Sequence, residues 1–172
     1  MKKMFRNNYS ILNVYKNKSI KSEITTQMLY GDTFSIKKKI GKWFKIKIKE
    51  DKYEGFIIKK NYLSYLQPTH KVSELKAKTY KNFKLKSNPK LLSFGSKISV
   101  NRKNKDFLRF DKRWIAKKDV KPINFRYKDK FSKIQMFKDI KYKWGGKSFR
   151  GIDCSALIQV FLNFNNDFCP RD

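Results

Sequence analysis

The stretch Phe44-Lys45-Ile46-Lys47-Ile48-Lys49 alternates apolar residues with lysines. Successive side chains of a β-strand point to opposite faces, so a period of two places the apolar groups on one face and the lysines in water. The stretch therefore predicts a half-buried antiparallel strand. Turn signals at Gly31-Asp32 and Glu54-Gly55 each precede a further apolar or alternating run. The first third of the chain is therefore predicted to form a small all-β barrel.

An internal repeat extends this interpretation to the second third of the chain. The matching pairs are Tyr15-Lys16-Asn17 with Tyr80-Lys81-Asn82, Trp43-Phe44-Lys45-Ile46 with Phe107-Leu108-Arg109-Phe110, and residues 56–61 with residues 114–119. We therefore predict two copies of one small β module. The first copy has a hairpin around residues 50–54 that is longer by about six residues, and residues 67–70 are predicted to be a linker.

The pattern changes after Pro122. Apolar residues in the segment 131–140 have a rough helical spacing and predict a short amphipathic helix. Two glycine-containing runs follow, and they contain the residues best suited to chemistry. These runs are Tyr142-Lys143-Trp144-Gly145-Gly146-Lys147-Ser148 and Gly151-Ile152-Asp153-Cys154-Ser155-Ala156-Leu157-Ile158-Gln159.

A helix is predicted to begin near Cys154. Asp153 is a good N-cap residue, and the apolar residues after it share helical faces. The free backbone N–H groups and the dipole at a helix N-terminus stabilise a thiolate, so Cys154 is a candidate nucleophile. Local sequence leaves an alternative open, in which Cys154 is a half-buried structural thiol beside a glycine-rich turn.

The first module resembles a known family. Gly31-Asp32, Trp43 and the element Asp51-x-Tyr53-x-Gly55-Phe56 follow one another as in the bacterial SH3-like domain, a small barrel of five to six strands. The second copy matches more loosely and lacks the Tyr-x-Gly element. Its assignment rests mainly on the repeat.

Residues 131–172 resemble the NlpC-type cysteine peptidases, which are papain-like endopeptidases of peptidoglycan peptides. The two glycine-containing runs and the ending Cys169-Pro170-Arg171-Asp172 carry this likeness, with Ala156 in place of the usual Gly. The resemblance implies a mainly β fold with two small SH3-like barrels, followed by the N-terminal helical part of an α+β papain-like peptidase domain. The implied domains are residues 8–66, 71–122 and 129–172.

The same resemblance implies roles for particular residues. Cys154 would be the nucleophile, and Tyr142 would place its hydroxyl near the thiolate or the oxyanion. Some members cleave the γ-D-glutamyl to diamino-acid bond of muropeptides that have a free N-terminal L-Ala. By analogy, substrate binding is assigned to Asp153, Ser155, Tyr53 and Glu54. The alternatives are that Asp153 only caps the helix, Ser155 only fills its first turn and Tyr53 is a barrel residue.

The general base is not identified. In the family, the His and its polar partner lie well downstream of the Pro-Arg-Asp segment, and the histidine of this sequence, His70, is interpreted as a linker residue. We therefore expect the 172-residue chain to be inactive by itself as a cysteine endopeptidase. The alternatives are a non-catalytic module that binds cell-wall peptides, or a truncated gene product.

Composition limits the possible partners. The 43 Lys and Arg residues outnumber the 14 Asp and Glu residues, and the net charge of +29 attracts any polyanion without selecting one. An anionic murein peptide is the expected partner, while nucleic acid is the least favoured because no recognition helix or ribonucleoprotein motif occurs. Neither a cofactor nor a metal is expected from two cysteines and one histidine.

The hydropathy of the sequence gives an expected cellular location. No apolar run has the length of a membrane span, and residues 1–8 are not followed by a signal-peptide core, so a cytoplasmic location is expected.

Cys169 is predicted to be a core thiol. A helix that runs from Cys154 to Phe164 has ends roughly 15 Å apart, which is too far for a disulfide between Cys154 and Cys169.

Overall fold

A computed structural model describes residues 3–171; Met1, Lys2 and Asp172 lie outside the described residues, including the last residue of the Pro-Arg-Asp segment. Module 1 comprises β1 (Met4–Arg6), β2 (Ile11–Tyr15), β3 (Ile24–Leu29), β4 (Thr33–Ile40), β5 (Trp43–Ile48), β6 (Glu54–Ile58) and β7 (Leu63–Ser64). Within this sheet the strand order is β3-β2-β6-β5-β4-β1-β7. Phe44, Ile46 and Ile48 are buried in the core of module 1, which confirms the alternating strand.

Module 2 comprises β8 (His70–Val72), β9 (Lys76–Tyr80), β10 (Lys90–Ser93), β11 (Lys97–Ile98), β12 (Arg102–Lys103), β13 (Phe107–Phe110), β14 (Arg113–Ala116) and β15 (Val120–Pro122). Its sheets have the orders β10-β9-β14-β13-β12 and β11-β8-β15. This is the order of module 1 with the counterpart of β4 divided into β11 and β12, so the repeat is confirmed in the topology.

The hairpins of the two modules differ in length as predicted. The β5–β6 hairpin runs from Trp43 to Ile58, whereas the β13–β14 hairpin runs from Phe107 to Ala116 through a two-residue turn at Asp111-Lys112. Both turn residues have positive φ, at 42° and 61°, the conformation typical of a tight hairpin turn. The longer hairpin of module 1 contacts other parts of the chain: Glu50 pairs with Lys97 of module 2, and Asp51 pairs with Lys147.

The segment after module 2 contains a 3-10 helix (Ile134–Phe137), β16 (Lys147–Ser148), β17 (Gly151–Ile152) and α1 (Cys154–Phe164). The prediction of an amphipathic helix over 131–140 was too long. No side chain caps the 3-10 helix at Lys133, and Phe137 is its buried residue, so little offsets the cost of nucleating a longer helix.

A third core forms under α1 and includes a residue of module 2. Phe94 stacks on Phe164 with ring centroids 4.6 Å apart and lies 5.0 Å from Phe161. The other buried members are Phe137, Ile152, Ala156 and Val160. Module 2 therefore supports the helix that begins at Cys154.

The predicted domain boundaries at 8–66, 71–122 and 129–172 stay predictions. β1 lies ahead of the first boundary and pairs with β4 and β7. Within residues 3–171, no helix is both long enough and apolar enough to span a bilayer.

Candidate active site

The N-terminus of α1 is built around Asp153. This residue has an extended conformation (φ −94°, ψ 172°), and its side chain accepts a hydrogen bond from Ala156 N at 2.8 Å. It is therefore a true N-cap, as predicted. Cys154 is the first helical residue and its side chain is exposed. A thiolate there would face the positive end of the helix dipole.

Asp153 is also the centre of a buried ionic contact. Arg171 donates to both of its carboxylate oxygens, at 2.8 Å to Oδ1 and through a short second bond to Oδ2. Gly145 N donates to Oδ2 at 3.0 Å. Burial by itself would raise the pKa of Asp153, but the hydrogen bonds from Arg171 and Ala156 outweigh it and hold the pKa below its ordinary value.

Ser155 belongs to the same cluster. Its Oγ accepts a hydrogen bond from Arg171 Nη1 at 2.9 Å and donates to Asp153 Oδ1 at 3.2 Å. Asp153 and Ser155 therefore flank the exposed thiol of Cys154 while sharing one guanidinium.

A glycine turn brings the site against module 1. Gly145 has φ +69°, and a Cβ there would lie 2.1 Å from Ile24 O, so any side chain would collide with β3. Two residues on, Lys147 N donates to Gln27 Oε1 at 3.0 Å. The turn that precedes Cys154 is thus fixed to the first module by backbone contact.

Tyr142 lies beside the strand that leads into the helix. It forms a parallel bridge with Ile152, two residues before Cys154, and its side chain is 65% exposed. Nearby, Trp144 Nε1 donates to Glu23 Oε1 at 2.8 Å. That hydrogen bond, with a second from Lys16, lowers the pKa of Glu23.

The structure places Tyr53 and Glu54 in the longer hairpin of module 1. Tyr53 packs at the edge of the module 1 core. Glu54 lies on the outer face, where three lysine ammonium groups approach its carboxylate to 3.9 Å; they belong to Lys37, Lys45 and Lys47. Binding roles for Tyr53 and Glu54 stay predictions.

Asp51, in the longer hairpin of module 1, contacts the segment that carries Cys154 (residues 142–164, called the site segment below). Its buried Oδ2 lies 3.5 Å from Lys147 Nζ and accepts from Gln159 Nε2 at 3.4 Å. Gln159 also donates to Cys169 O at 3.0 Å. Asp51 thereby joins module 1 to β16 and α1 at once.

A cavity of about 250 Å³ lies between module 1 and the turn before Cys154. Three cationic side chains and two amides contribute to it. Its lining residues are Ile11, Leu12, Asn13, Tyr15, Gln27, Ile58, Lys60, Lys143 and Arg150. The mixture of amides and cations suits a polar ligand that carries negative charge.

Two sequence-based interpretations need correction. Cys169 is partly exposed and is not a core thiol, because its Sγ lies near Pro170 O in the chain that follows the helix. His70 is the first residue of β8, not part of a linker, and pairs with Ile98 and Pro122. Burial lowers the pKa of His70.

His70 is also far from Cys154. Its neighbour Lys71 donates to Phe164 O and, at 2.6 Å, to Phe125 O. Phe164 is the last residue of α1, so β8 meets the end of the helix that is roughly 15 Å from the thiol. The structure therefore does not bring His70 to the candidate nucleophile.

Sequence reasoning missed Arg171, Asp51, Lys147 and Gln159. Arg171 lies in the Cys169-Pro170-Arg171-Asp172 stretch that carries part of the family resemblance. That stretch is a signal that Arg171 matters, but it does not indicate which residue Arg171 binds. Asp51 is 108 residues from Gln159, and nothing in the local sequence of either indicates the contact.

Comparisons with known proteins agree with this architecture. Residues 10–64 match a family model described as "Bacterial SH3 domain". The chain is 25% identical over 166 residues to the gamma-D-glutamyl-L-lysine dipeptidyl-peptidase of Bacillus subtilis (strain 168), covering 87% of this chain and 56% of that protein. The chain thus spans about half the length of this curated relative.

A crystal structure of an NlpC/P60 family protein from Bacillus cereus ATCC 10987 superposes with a TM-score of 0.82 at 17% identity, over 99% of this chain and 74% of that chain. The mainly β fold, with SH3-like modules ahead of part of a papain-like domain, is therefore confirmed. The resemblance to NlpC-type peptidases with a bacterial SH3 domain is confirmed with it.

Proposed function

We propose that the site around Cys154 is that of a cysteine endopeptidase that hydrolyses murein peptides at the γ-D-glutamyl to diamino-acid bond. The observation that carries this proposal is an exposed cysteine at the first position of a capped helix. The relative whose name includes a gamma-D-glutamyl-L-lysine peptidase activity supports the choice of bond.

The proposed chemistry is nucleophilic catalysis. The thiolate of Cys154 attacks the amide carbonyl carbon, and the carbon–nitrogen bond breaks as the nitrogen takes a proton from a general acid or from water. Water then adds to the thioester, which releases the carboxylic acid and returns the thiol. The backbone N–H of Cys154, at the helix N-terminus, would donate to the oxyanion, and Tyr142 would place its hydroxyl beside it.

Substrate binding is proposed for the residues on either side of the thiol and for module 1. A free α-amino group would bind Asp153 and Ser155 by replacing a hydrogen bond from Arg171. Tyr53 and Glu54 would contact the L-Ala end. The cavity lined by Lys60, Lys143 and Arg150 would attract the carboxylates of an anionic peptide.

Thiol protection tests binding without requiring turnover. In a Cys169→Ser background, the rate at which iodoacetamide alkylates Cys154 would be measured with and without L-Ala-γ-D-Glu-L-Lys. We expect the peptide to slow alkylation, and the same peptide with an acetylated amine to protect less. Tyr53→Phe should weaken protection. Equal alkylation rates with and without either peptide would contradict the proposed site.

Turnover is a separate expectation. His70 lies at the far end of α1 from Cys154, so we propose that the 172-residue chain does not cleave this peptide by itself, for want of a general base at the thiol. Mass spectrometry of the peptide after long incubation checks this. Cleavage that vanishes in Cys154→Ala would refute the proposed inactivity while supporting the nucleophile.

A further inference from the structure

The outer face of module 2 carries a second, larger groove. It has a volume of about 600 Å³ and shares no lining residue with the cavity next to the candidate active site. Its lining residues are Lys76, Lys78, Tyr80, Lys86, Lys105, Asp106, Phe107, Ala116, Lys117, Lys118 and Asp119. We call this the lysine groove.

The lysines of β9 face the groove because of the strand's alternation. Ala77 and Thr79 are fully buried on the core side, whereas Lys76 and Lys78 are exposed on the other side. Six lysines and two aspartates line the groove. Across residues 3–171, none of the six ammonium groups forms an ion pair with a carboxylate.

Module 1 provides an internal comparison. The residues that match Lys76, Lys78 and Tyr80 in the repeat are Ile11, Asn13 and Tyr15, and these line the cavity next to the candidate active site. In module 1 that face meets Lys143 and Arg150 of the site segment. In module 2, lysines replace the isoleucine and the asparagine, and one of them, Lys76, has its Nζ 5.7 Å from the centre of the Phe149 ring.

The outer face of module 1 also differs in charge balance. There, Glu54 is approached by three lysines, so part of the positive charge is offset. The lysine groove has two carboxylates, Asp106 and Asp119, for six lysines, and within residues 3–171 neither carboxylate forms an ion pair with them. Its positive potential is therefore concentrated on one concave surface, which raises the local concentration of anions.

We propose that the lysine groove binds a linear polymer of phosphate groups. Lysine is a flexible point-charge partner for phosphate, and a chain with a charge on every unit can engage several lysines together. Each engaged lysine releases counterions, which favours binding. Tyr80 and Phe107 are only partly exposed, and Phe107 packs against Phe83 with ring centroids 5.1 Å apart. The small exposed aromatic surface favours a bare phosphate chain over a single-stranded nucleic acid, which binds through base stacking.

A pair of charge-matched variants tests the site. The groove variant carries Lys78→Gln, Lys105→Gln and Lys117→Gln. These three exposed lysines lie on β9, between β12 and β13, and directly after β14. The control carries Lys38→Gln, Lys39→Gln and Lys42→Gln, three exposed lysines of module 1. The affinity of the 172-residue chain for inorganic polyphosphate would be titrated at several salt concentrations, after thermal unfolding shows that both variants fold.

We expect the groove variant to lose at least ~10-fold in affinity and the slope of log K against log salt to fall by about 2. The control should stay within about twofold of the parent. Equal losses in both variants would overturn the proposal, because binding would then follow net charge alone. Equal or tighter binding of polyglutamate, or tighter binding of oligothymidylate of matched charge, would also overturn it.

Discussion

At the scale of single residues, Asp153 decides the geometry of the candidate nucleophile. One carboxylate caps α1, holds the glycine turn through Gly145 N and pairs with Arg171. The side chains of Asp153 and Arg171 are 7% and 2% exposed, so removing the charge of Asp153 would break buried, charge-assisted hydrogen bonds from Arg171. Such losses are costly in protein interiors.

Asp153→Asn should therefore destabilise the chain by about 1.5–3 kcal/mol through the loss of its charge-assisted hydrogen bonds, although Asn can still cap the helix. Urea unfolding at neutral pH measures the change. Asn163→Asp, on the solvent-accessible part of α1, changes the charge in the opposite sense and serves as a control for net charge. A loss of under ~1 kcal/mol in Asp153→Asn would show that the ion pair contributes little.

At the scale of elements, the turn before α1 depends on a close approach between Gly145 and β3. A Cβ at Gly145 would lie 2.1 Å from Ile24 O, and backbone atoms are less able than side chains to move aside. Gly41 offers a matched position, since its φ is +54° and a Cβ there would meet nothing within 4 Å. Substitutions at the two glycines therefore distinguish the cost of a left-handed backbone from the cost of a collision with β3.

Gly145→Ala should destabilise the chain well beyond Gly41→Ala. Both substitutions incur the cost of a left-handed conformation, about 1–2 kcal/mol, but only the first displaces β3. Thermal unfolding compares them, and alkylation of Cys154 in the Cys169→Ser background reports whether the turn has moved. Equal losses would argue against close contact between the turn and module 1.

The other end of α1 is held by Lys71, whose side chain contacts Phe125 O, Phe164 O and the Phe164 ring. Burial, with smaller contributions from Arg126 and Lys97, lowers the pKa of Lys71 to about 8 from an ordinary value of 10.5. The folded state thus binds fewer protons than the unfolded state between these values, so the Lys71 contribution to stability should rise with pH there.

Comparison with Lys71→Met isolates this effect. The difference in unfolding free energy between the parent and the variant should shift in favour of the parent by roughly 2–3 kcal/mol from pH 8 to pH 10.5. Urea unfolding at a series of pH values measures it. A difference that stays constant over this range would mean that Lys71 titrates normally in the folded protein.

At the scale of the whole molecule, ionic contacts join the parts. Arg6 of module 1 pairs with Asp111 of module 2 at 2.5 Å, and Lys97 of module 2 pairs with Glu50 of module 1 at 3.0 Å. Asp51 then connects module 1 to Lys147 and Gln159. The longer hairpin of module 1 thus supplies two of the carboxylates, Glu50 and Asp51, that contact other parts of the chain.

A double-mutant cycle tests this connection. Asp51→Asn and Lys147→Met should each destabilise the chain, and together they should cost less than their sum by ~1–3 kcal/mol, because each removes the partner of the other. Urea unfolding of the four proteins gives the coupling. Strict additivity would show that the 3.5 Å contact has no energetic role.

Local patterns in the sequence were enough to predict β5, the repeat and the cap at Asp153, because each depends on neighbours within one element. The contacts of Asp51 and Arg171 could not be predicted in this way. Arg171 reaches Thr25 O across 146 residues as well as Asp153 across 18. The charge of a residue suggests that it has a partner, but periodicity does not identify that partner.

The stack of Phe94 on Phe164 also constrains how this architecture could be rearranged in evolution. A recombination point between module 2 and residue 129 would separate these two rings and would remove Lys71 from the end of α1. The segment that carries Cys154 would then expose the apolar side of its helix. Module 2 and the segment that carries Cys154 therefore depend on each other for burial, although the sequence pattern divides them into separate domains.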